Sequence, residues 1–161
     1  MKTETLRTEI NLQRLYQQLL PTVYRAAYMY MKNPCDSEDA AQEAFLRLVQ
    51  SKRVFSEEGQ VKAWLIVTVG NICKDMLRRC SRRDVNLDDH PEIPAPTCEG
   101  RDLLAALLAL PEKFKTAVFL YYYAGYSVRE IARAMGQPEG TVKSWLHRAR
   151  RMLREALEED A

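Results

Sequence analysis

The sequence of 161 residues lacks most features that would point to an enzyme or a metalloprotein. It has only two histidines, six glycines and four cysteines, and it contains no glycine-rich phosphate-binding loop. The cysteines form no Cys-x-x-Cys pair, so no standard zinc site is indicated. His90 and His147 are far apart in the sequence, and neither has a nucleophile beside it. We therefore expect no enzymatic activity, no metal and no cofactor.

Long apolar runs are missing as well. The longest stretch without a charged residue, 116–128, has 13 residues, whereas a membrane helix needs roughly 18. No apolar block follows the first five residues, so no signal peptide is visible. A hydrophobic fraction of 47% with 29% charged residues is typical of a globular chain. We expect a cytoplasmic protein without membrane insertion.

The formal net charge of +2 conceals a segmented charge distribution. Residues 1–83 carry 14 basic and 9 acidic side chains, whereas residues 84–102 carry one basic and six acidic ones. Residues 103–161 carry nine basic and seven acidic side chains, and the stretch 141–154 within them has five basic and no acidic ones. Two basic regions separated by an acidic segment suggest a nucleic-acid partner, which the total charge alone would not.

The first half of the sequence predicts a small helical bundle. Apolar residues over 8–31 recur at helical spacing, and Pro21 predicts a kink or two abutting helices there. Asn33-Pro34 is predicted to end this segment, and Asp36 or Ser37 to cap a second helix. The buried face predicted for the second helix consists of Ala41, Ala44, Phe45 and Leu48.

A polar segment over 51–60 predicts a loop before a third helix. The run 64–69 suits a strand by local propensity alone. However, apolar residues recur at i, i+4, i+7 and i+11, which favours a long helix over 61–80. These apolar residues are Leu65, Val69, Ile72 and Met76.

The middle of the sequence predicts a linker. Residues 84–101 contain three prolines and several acidic side chains and show no hydrophobic periodicity, which is typical of a flexible tether. We therefore expect an all-α fold with two small domains, 1–83 and 102–161, joined by an acidic flexible linker over 84–101.

The second domain begins with two apolar segments. Residues 103–110 form an apolar run that Pro111 ends. The segment 112–123 favours a helix, although the three tyrosines at 121–123 also suit a strand. The apolar residues that carry this helical spacing are Phe114, Val118, Phe119 and Tyr122.

The end of the sequence predicts a helix-turn-helix. Ser127 and Glu130 form a capping box that opens a short helix, and Gly136 ends that helix. Thr141 is predicted to cap a longer basic helix after a tight turn. The inner face of the longer helix consists of Val142, Leu146, Ala149 and Leu153.

The longer helix carries basic and polar side chains off its apolar stripe. Those near its N-terminal end can reach base edges in a major groove, and those further along can meet phosphates. A basic face that is only solvated is the alternative, but the capped helix and turn before it argue against that. Trp64 either packs in a core or stacks on unpaired bases.

Nearly the whole chain resembles, in order, the bacterial RNA polymerase sigma factors of the extracytoplasmic-function (ECF) group, sigma-70 family. The region-two signature of that family is similar to residues 36–48, DSEDAAQEAFLRL. The stretch that follows in the family is similar to Trp64-Leu65, Asn71, Asp75, Arg78 and Arg79. Its region four is similar to Leu110-Pro111, to residues 130–144, EIARAMGQPEGTVKS, and to Arg148-Ala149-Arg150.

The resemblance implies a region-two bundle of three to four helices and a region-four helix-turn-helix domain. It implies that the protein binds core RNA polymerase, at the clamp coiled coil and the flap, and directs promoter-specific transcription initiation. Promoter DNA and an anti-sigma factor are the other expected partners. Within this family the acidic linker is either a plain tether or a mimic of nascent RNA in the RNA path of the polymerase.

Three sets of residues receive roles from the resemblance. Core-polymerase binding is expected of Asp39, Gln42, Glu43 and Arg47, on a face with little apolar area. Melting and reading of the −10 element as a single strand is expected of Trp64, Asn71, Asp75, Arg78, Arg79, Arg82 and Arg83, with the loop at 56–62 holding a flipped base. Reading of the −35 element as duplex is expected of Lys143, Ser144, His147, Arg148 and Arg151.

Two other classes of protein compete with this interpretation. An autonomous helix-turn-helix repressor or activator would need a dimer surface to read paired half-sites, and residues 103–110 are the candidate for it. A protein-interaction adaptor would leave its basic helices solvated. Binding to core polymerase separates a sigma factor from both.

Overall fold

The computed structural model describes residues 9–51, 53–83 and 98–159, and these are helical or lie in turns and loops, with no strand among them. The chain divides into two compact units, Met1–Arg82 and Arg83–Ala161. The all-α prediction with two helical units is confirmed. None of the helices in these described stretches is both long and apolar enough to cross a membrane. Residues 84–97 of the predicted linker over 84–101 lie outside the described residues, whereas 98–101 are helical, so the prediction of a flexible tether is wrong for these last residues.

The described part of the first unit contains three helices: α1 (Glu9–Met31), α2 (Pro34–Gln50) and α3 (Glu58–Arg83). Helix α1 continues through Pro21, so the alternative of two abutting helices is wrong. Helix α3 includes the whole run 64–69, so the helical spacing predicted its structure and the local strand propensity did not. The largest fully buried side chains of this unit include Leu15, Val23, Val61, Leu65, Ile66 and Val69.

Contacts between the three helices hold the first unit together. The rings of Tyr16 in α1 and Phe45 in α2 meet edge to face, with centroids 4.9 Å apart. The buried thiol of Cys73 in α3 donates to the carbonyl of Ala27 in α1, at 3.8 Å. Such aromatic and apolar contacts supply most of the stability that the amphipathic helices lack on their own.

The junction between α1 and α2 is a tight two-residue turn. Lys32 has a φ of 62°, and Asn33 is the N-cap of α2, with its side-chain oxygen accepting from the Asp36 N–H at 2.8 Å. Pro34 fits the first position of α2 because proline needs no N–H partner there. The prediction that Asp36 or Ser37 caps α2 is therefore wrong: Asn33-Pro34 ends one helix and also begins the next.

The second unit contains α4 (Cys98–Leu108), α5 (Glu112–Val118), a π-helical turn (Phe119–Tyr123), α6 (Val128–Met135) and α7 (Glu139–Glu159). Helix α7 is the central element, because α4, α5 and α6 all pack against it. Of its predicted inner face, Val142, Leu146 and Ala149 are buried, whereas Leu153 is half-buried. The core facing them includes Leu110, Phe114, Ala117, Leu120 and Ile131.

The three tyrosines at 121–123 lie in the π-helical turn, so the strand alternative is wrong. The Ala124 N–H donates to the Phe119 carbonyl at 3.0 Å, five residues back. This wider turn rotates the side chains that follow Val118 away from the regular helical spacing. Tyr122 was predicted on the apolar face but is 52% exposed, and its neighbours Tyr121 and Tyr123 are exposed as well.

The helix-turn-helix forms largely as the sequence predicts. The Ser127 hydroxyl accepts from the Glu130 N–H at 3.2 Å and donates to the Glu130 carboxylate at 3.1 Å. Gly136 ends α6 with a φ of 65°, a conformation that glycine adopts without steric cost. Helix α7 begins at Glu139, and the Pro138 carbonyl accepts from Thr141 and Val142. The prediction of Thr141 as N-cap is therefore wrong: Thr141 lies in the first turn of α7, three residues after the N-cap position, Pro138.

Candidate nucleic-acid interface

The face of α7 opposite its buried stripe carries the five residues predicted to read duplex DNA. Lys143, Ser144, His147, Arg148 and Arg151 are all exposed. Their spacing of i, i+1, i+4, i+5 and i+8 places them on one side of the helix, over about 12 Å of its length. On the inner side, Val142 and Ala149 are fully buried, which fixes the rotation of α7 and therefore the direction of this α7 face.

The cations of the α7 face differ in what they contact. The Arg151 guanidinium pairs with the Glu155 carboxylate at 3.2 Å, and the Arg150 Nε donates to the Leu146 carbonyl at 3.4 Å. Within residues 103–158, neither Lys143 nor Arg148 has an acidic partner. The N-terminal half of this face therefore offers cations with their donors available, whereas Arg151 must exchange a weak exposed ion pair for any new contact.

A second polar face runs along α3. Trp64, Asn71, Asp75 and Arg78 are spaced by seven, four and three residues, which places them on one stripe of the helix. Asn71, Asp75, Arg78 and Arg79 are exposed, and Trp64 is half-buried. Arg82 and Arg83 belong to the last turn of α3, and their side chains lie outside the described ones. The structure thus brings the described members of the predicted −10 set together on this α3 face.

The loop before α3 ends at Glu57, so the predicted loop over 51–60 is too long by three residues, and most of the segment 56–62 is the first turn of α3. This loop is fixed to the N-terminal end of the α3 face. The buried Phe55 ring meets the Trp64 ring edge to face, with centroids 6.0 Å apart. The Ser56 N–H and hydroxyl both donate to the Gln60 side-chain oxygen, at 3.1 and 3.0 Å. Trp64 is therefore neither a plain core residue nor a free platform: its ring contacts that of Phe55, and the residue is half-buried.

The four residues predicted to bind core polymerase lie together on the outer side of α2. Asp39, Gln42, Glu43 and Arg47 are all exposed, opposite the buried Ala40, Ala41, Ala44, Phe45 and Leu48. The Glu43 carboxylate and the Arg47 guanidinium form an ion pair at 3.3 Å. Neither group is held rigidly, because exposed i,i+4 pairs of this kind are weak.

The expectation that this α2 face has little apolar area is wrong. Leu46 is 55% exposed and Val49 is 61% exposed, and both follow Asp39 and Gln42 at helical spacing along the same side. The predicted buried face of α2 did not include Leu46 and Val49, but the sequence analysis assigned them no role. The spacing 39, 42, 46, 49 was the available signal, since it is out of phase with Ala41, Ala44 and Leu48.

Comparison with known proteins identifies both units. The model of "Sigma-70 region 2" matches residues 15–83, and the model of "Sigma-70, region 4" matches residues 100–153. The two units are thus those of a sigma-70 family protein, which is the class that the helix-turn-helix and the polar helix faces define.

Individual relatives narrow the class. The chain is 37% identical over 155 residues to the ECF RNA polymerase sigma factor SigE of Mycolicibacterium smegmatis, covering 89% of this chain and 60% of that protein. It is 33% identical over 135 residues to the ECF RNA polymerase sigma factor SigM of Mycobacterium tuberculosis, covering 81% of this chain and 69% of that protein. The chain therefore belongs to the ECF sigma factors, and it spans only about 60% of the length of SigE.

A solved structure agrees with the fold. The sigma factor RpoE of Bartonella quintana, crystallised in complex with the anti-sigma factor NepR, aligns with a TM-score of 0.75 at 24% sequence identity. The alignment covers 92% of this chain and 98% of that one. At this identity the likeness supports the helical architecture and no residue role.

Proposed function

We propose that this protein binds core RNA polymerase and directs promoter-specific transcription initiation. The observation that carries the proposal is the exposed basic face of α7 within a capped helix-turn-helix, in a chain whose first unit matches region 2 of the sigma-70 family. We propose the domains as 1–83 and 102–161, joined by an acidic segment over 84–101 whose last four residues already belong to α4. The protein has no catalytic activity of its own in this proposal and acts in the cytoplasm, where polymerase and promoter DNA meet.

The α7 face reads the −35 element as duplex. A helix fits the major groove, where lysine and arginine donate to guanine N7 and O6. Lys143, Ser144, His147 and Arg148 lie at the N-terminal end of α7, which is the end that a recognition helix presents to base edges. Arg151 lies further along and contacts a phosphate after releasing Glu155, so it adds affinity without sequence preference.

The α3 face reads the −10 element as a single strand. Aromatic stacking and arginine–phosphate contacts are the usual means of holding unpaired bases. The exposed part of Trp64 supplies the stacking surface. Asn71 lies two helical turns further along α3 and can donate to and accept from a base edge. Arg78, Arg79, Arg82 and Arg83 hold the backbone of the strand, and the loop around Ser56 borders the site of a flipped base.

The α2 face binds the clamp coiled coil of core polymerase, and the second unit contacts the flap. On α2 the polar groups Asp39, Gln42, Glu43 and Arg47 surround the exposed Leu46 and Val49. An apolar centre with a polar rim is the usual composition of a protein–protein interface. We therefore include Leu46 and Val49 in the interface, in addition to the four polar residues.

An anti-sigma factor is a further proposed partner. RpoE was crystallised with its anti-sigma factor NepR, and the present chain shares that architecture. A partner that covered the α2, α3 or α7 face would keep this protein from polymerase or promoter.

Reconstituted run-off transcription tests the proposal. Purified core enzyme is incubated with the full chain and a set of genomic promoter fragments, with core enzyme alone as the control. Defined transcripts that require the added chain are expected. A chain that neither binds core enzyme nor directs initiation would contradict the proposal, and tight binding of the free protein to palindromic DNA would favour an autonomous helix-turn-helix regulator.

A further inference from the structure

One acidic side chain stands on the otherwise basic α3 face. Between Gly59 and Arg83 the sequence has six basic residues and a single acidic one, Asp75. Asp75 is exposed and lies in the stripe between Asn71 and Arg78, one turn from each. A surface that only had to attract a polyanion would gain from a neutral or basic residue here, so the carboxylate needs an explanation.

The chemistry of a carboxylate restricts what Asp75 can contact in a bound strand. An ionised aspartate is only an acceptor of hydrogen bonds, and a phosphate is an anion that also only accepts. Asp75 therefore repels the backbone of the strand. The partners left for it are donors on a base edge, namely the exocyclic amino groups and the ring N–H groups.

The neighbouring arginine does not account for Asp75 in full. The Asp75 carboxylate lies 3.6 Å from the Arg78 guanidinium, with side-chain exposures of 53% and 68%. An ion pair this exposed and this long contributes little and can be exchanged at small cost. Asp75 can therefore turn from Arg78 to a base at small cost.

We infer that Asp75 is a specificity-determining residue that selects, at one position of the single strand, a base with an amino group on its exposed edge and disfavours thymine. Guanine offers adjacent N1–H and N2–H donors to both carboxylate oxygens, and cytosine and adenine each offer one amino group. Thymine has a single N3–H between two carbonyl oxygens that repel the carboxylate. This inference rests on the proposed function, because it assumes that α3 meets unpaired bases.

Selection from a randomised single strand tests the inference. The holoenzyme, reconstituted from core polymerase and the full chain, is mixed with oligonucleotides randomised at six positions, and the bound fraction is sequenced for wild type, Asp75→Ala, Asp75→Asn and Asp75→Glu. We expect the wild type to disfavour thymine at one position by about 5- to 150-fold, the discrimination of a good contact to a base edge. Asp75→Ala removes that preference and leaves the other positions within twofold.

The asparagine variant gives the sharpest result. An amide can accept from thymine N3–H and donate to the neighbouring carbonyl, so Asp75→Asn should accept thymine at the same position. Asp75→Glu, which keeps the carboxylate, should retain part of the discrimination. Glu158→Ala, which removes an exposed acidic group of α7 outside the proposed interfaces, is the control and should keep the wild-type preferences.

The possible results separate this inference from the proposed function. If the wild type shows base preferences that Asp75→Ala leaves intact at every position, the inference is overturned and the proposed function stands. If Asp75→Ala and Arg78→Ala weaken binding of all sequences equally, Asp75 only positions Arg78, and the inference is overturned too. A wild-type holoenzyme without any base preference would overturn the proposed function together with the inference.

Discussion

The two candidate DNA faces occupy similar positions on long helices but differ in their chemistry. On α7 the described members are lysine, serine, histidine and arginine, all of which can donate hydrogen bonds. On α3 they are a tryptophan, an asparagine, an aspartate and two arginines. The first set suits acceptors in the major groove of a duplex, whereas the second offers a stacking surface, an amide and a carboxylate to bases whose edges are free.

The two faces also differ in how the fold supports them. Helices α4, α5 and α6 pack against the inner side of α7. The buried stripe lies directly behind the part of the α7 face that has the most cations. The α3 face instead begins beside a loop, where Phe55 packs against Trp64. A duplex presents a regular groove that one rigid helix can match, whereas an unpaired base must be held from more than one side, which in the proposed function is done by a helix and a loop.

The largest effect is expected from the loss of a core leucine, which tests whether the two units are separate domains. Leu65 in α3 and Leu120 in the π-helical turn are both fully buried, so truncation to alanine should cost about 2–5 kcal/mol of unfolding free energy in either case. Differential scanning calorimetry should show Leu65→Ala lowering the transition of the first unit and Leu120→Ala that of the second. A single transition that both variants shift equally would contradict separate domains.

The α7 face should respond to loss of its available cations. Lys143→Ala and Arg148→Ala should each weaken −35-dependent initiation by about 5- to 150-fold, because each removes a donor to base edges worth about 1–3 kcal/mol. Run-off transcription and a core-binding assay should be measured together. Lys113→Ala, which removes an exposed cation of α5, is the matched control and should leave initiation unchanged. Loss of core binding would instead refute the base-reading role.

The helix caps should show a smaller difference between the units. Asn33→Ala and Ser127→Ala each remove a cap, which costs about 1 kcal/mol. Asn33 should cost more, because its amide also donates to the Met31 carbonyl at 3.0 Å and to the Asp36 carboxylate at 2.9 Å. Chemical denaturation of both variants measures the two costs. Equal losses would show that the additional bonds of Asn33 contribute nothing.

The smallest stability effect is expected on α2. Glu43→Gln breaks an exposed ion pair with Arg47 and should reduce the unfolding free energy by no more than about 0.5 kcal/mol. The effect of Glu43→Gln on affinity for core polymerase should be larger than its effect on stability, because the carboxylate belongs to the proposed interface. Leu46→Ala should also weaken core binding, and since Leu46 is 55% exposed it should cost little stability. Unchanged core affinity in both variants would remove the α2 face from the proposed interface.

The sequence predicted the helices where local chemistry and periodicity agree. Ser127, Glu130 and Gly136 specify α6 by themselves, because a cap hydroxyl and a left-handed glycine act over three or four residues. The same local rules failed at Asn33-Pro34, since proline stops a helix before it but suits the first turn of the next. They failed at Thr141 too, because α7 already begins at Glu139. The Pro138 carbonyl accepts from the Thr141 N–H, so Thr141 lies inside the first turn and cannot be the cap.

The predicted site was less complete than the predicted fold. Periodicity already left Leu46 and Val49 out of the buried face of α2, but it assigned no role to apolar side chains on the outer side, so their place beside the polar residues became clear only in the structure. Tyr122 was assigned to the apolar face by its helical spacing. Its exposure follows from the hydrogen bond of the Ala124 N–H to the carbonyl five residues back. No residue type in this segment indicates that this carbonyl is chosen over the one four residues back.

The π-helical turn has a consequence for how the length of this segment can vary. With the Ala124 N–H bonded to Phe119, the chain uses one residue more per turn than an α-helix does. A chain lacking one of the three tyrosines could close the same helix with regular bonds and still place Leu120 in the core. The tyrosine run is therefore the position where we expect the deletion of one residue to be tolerated inside this helix.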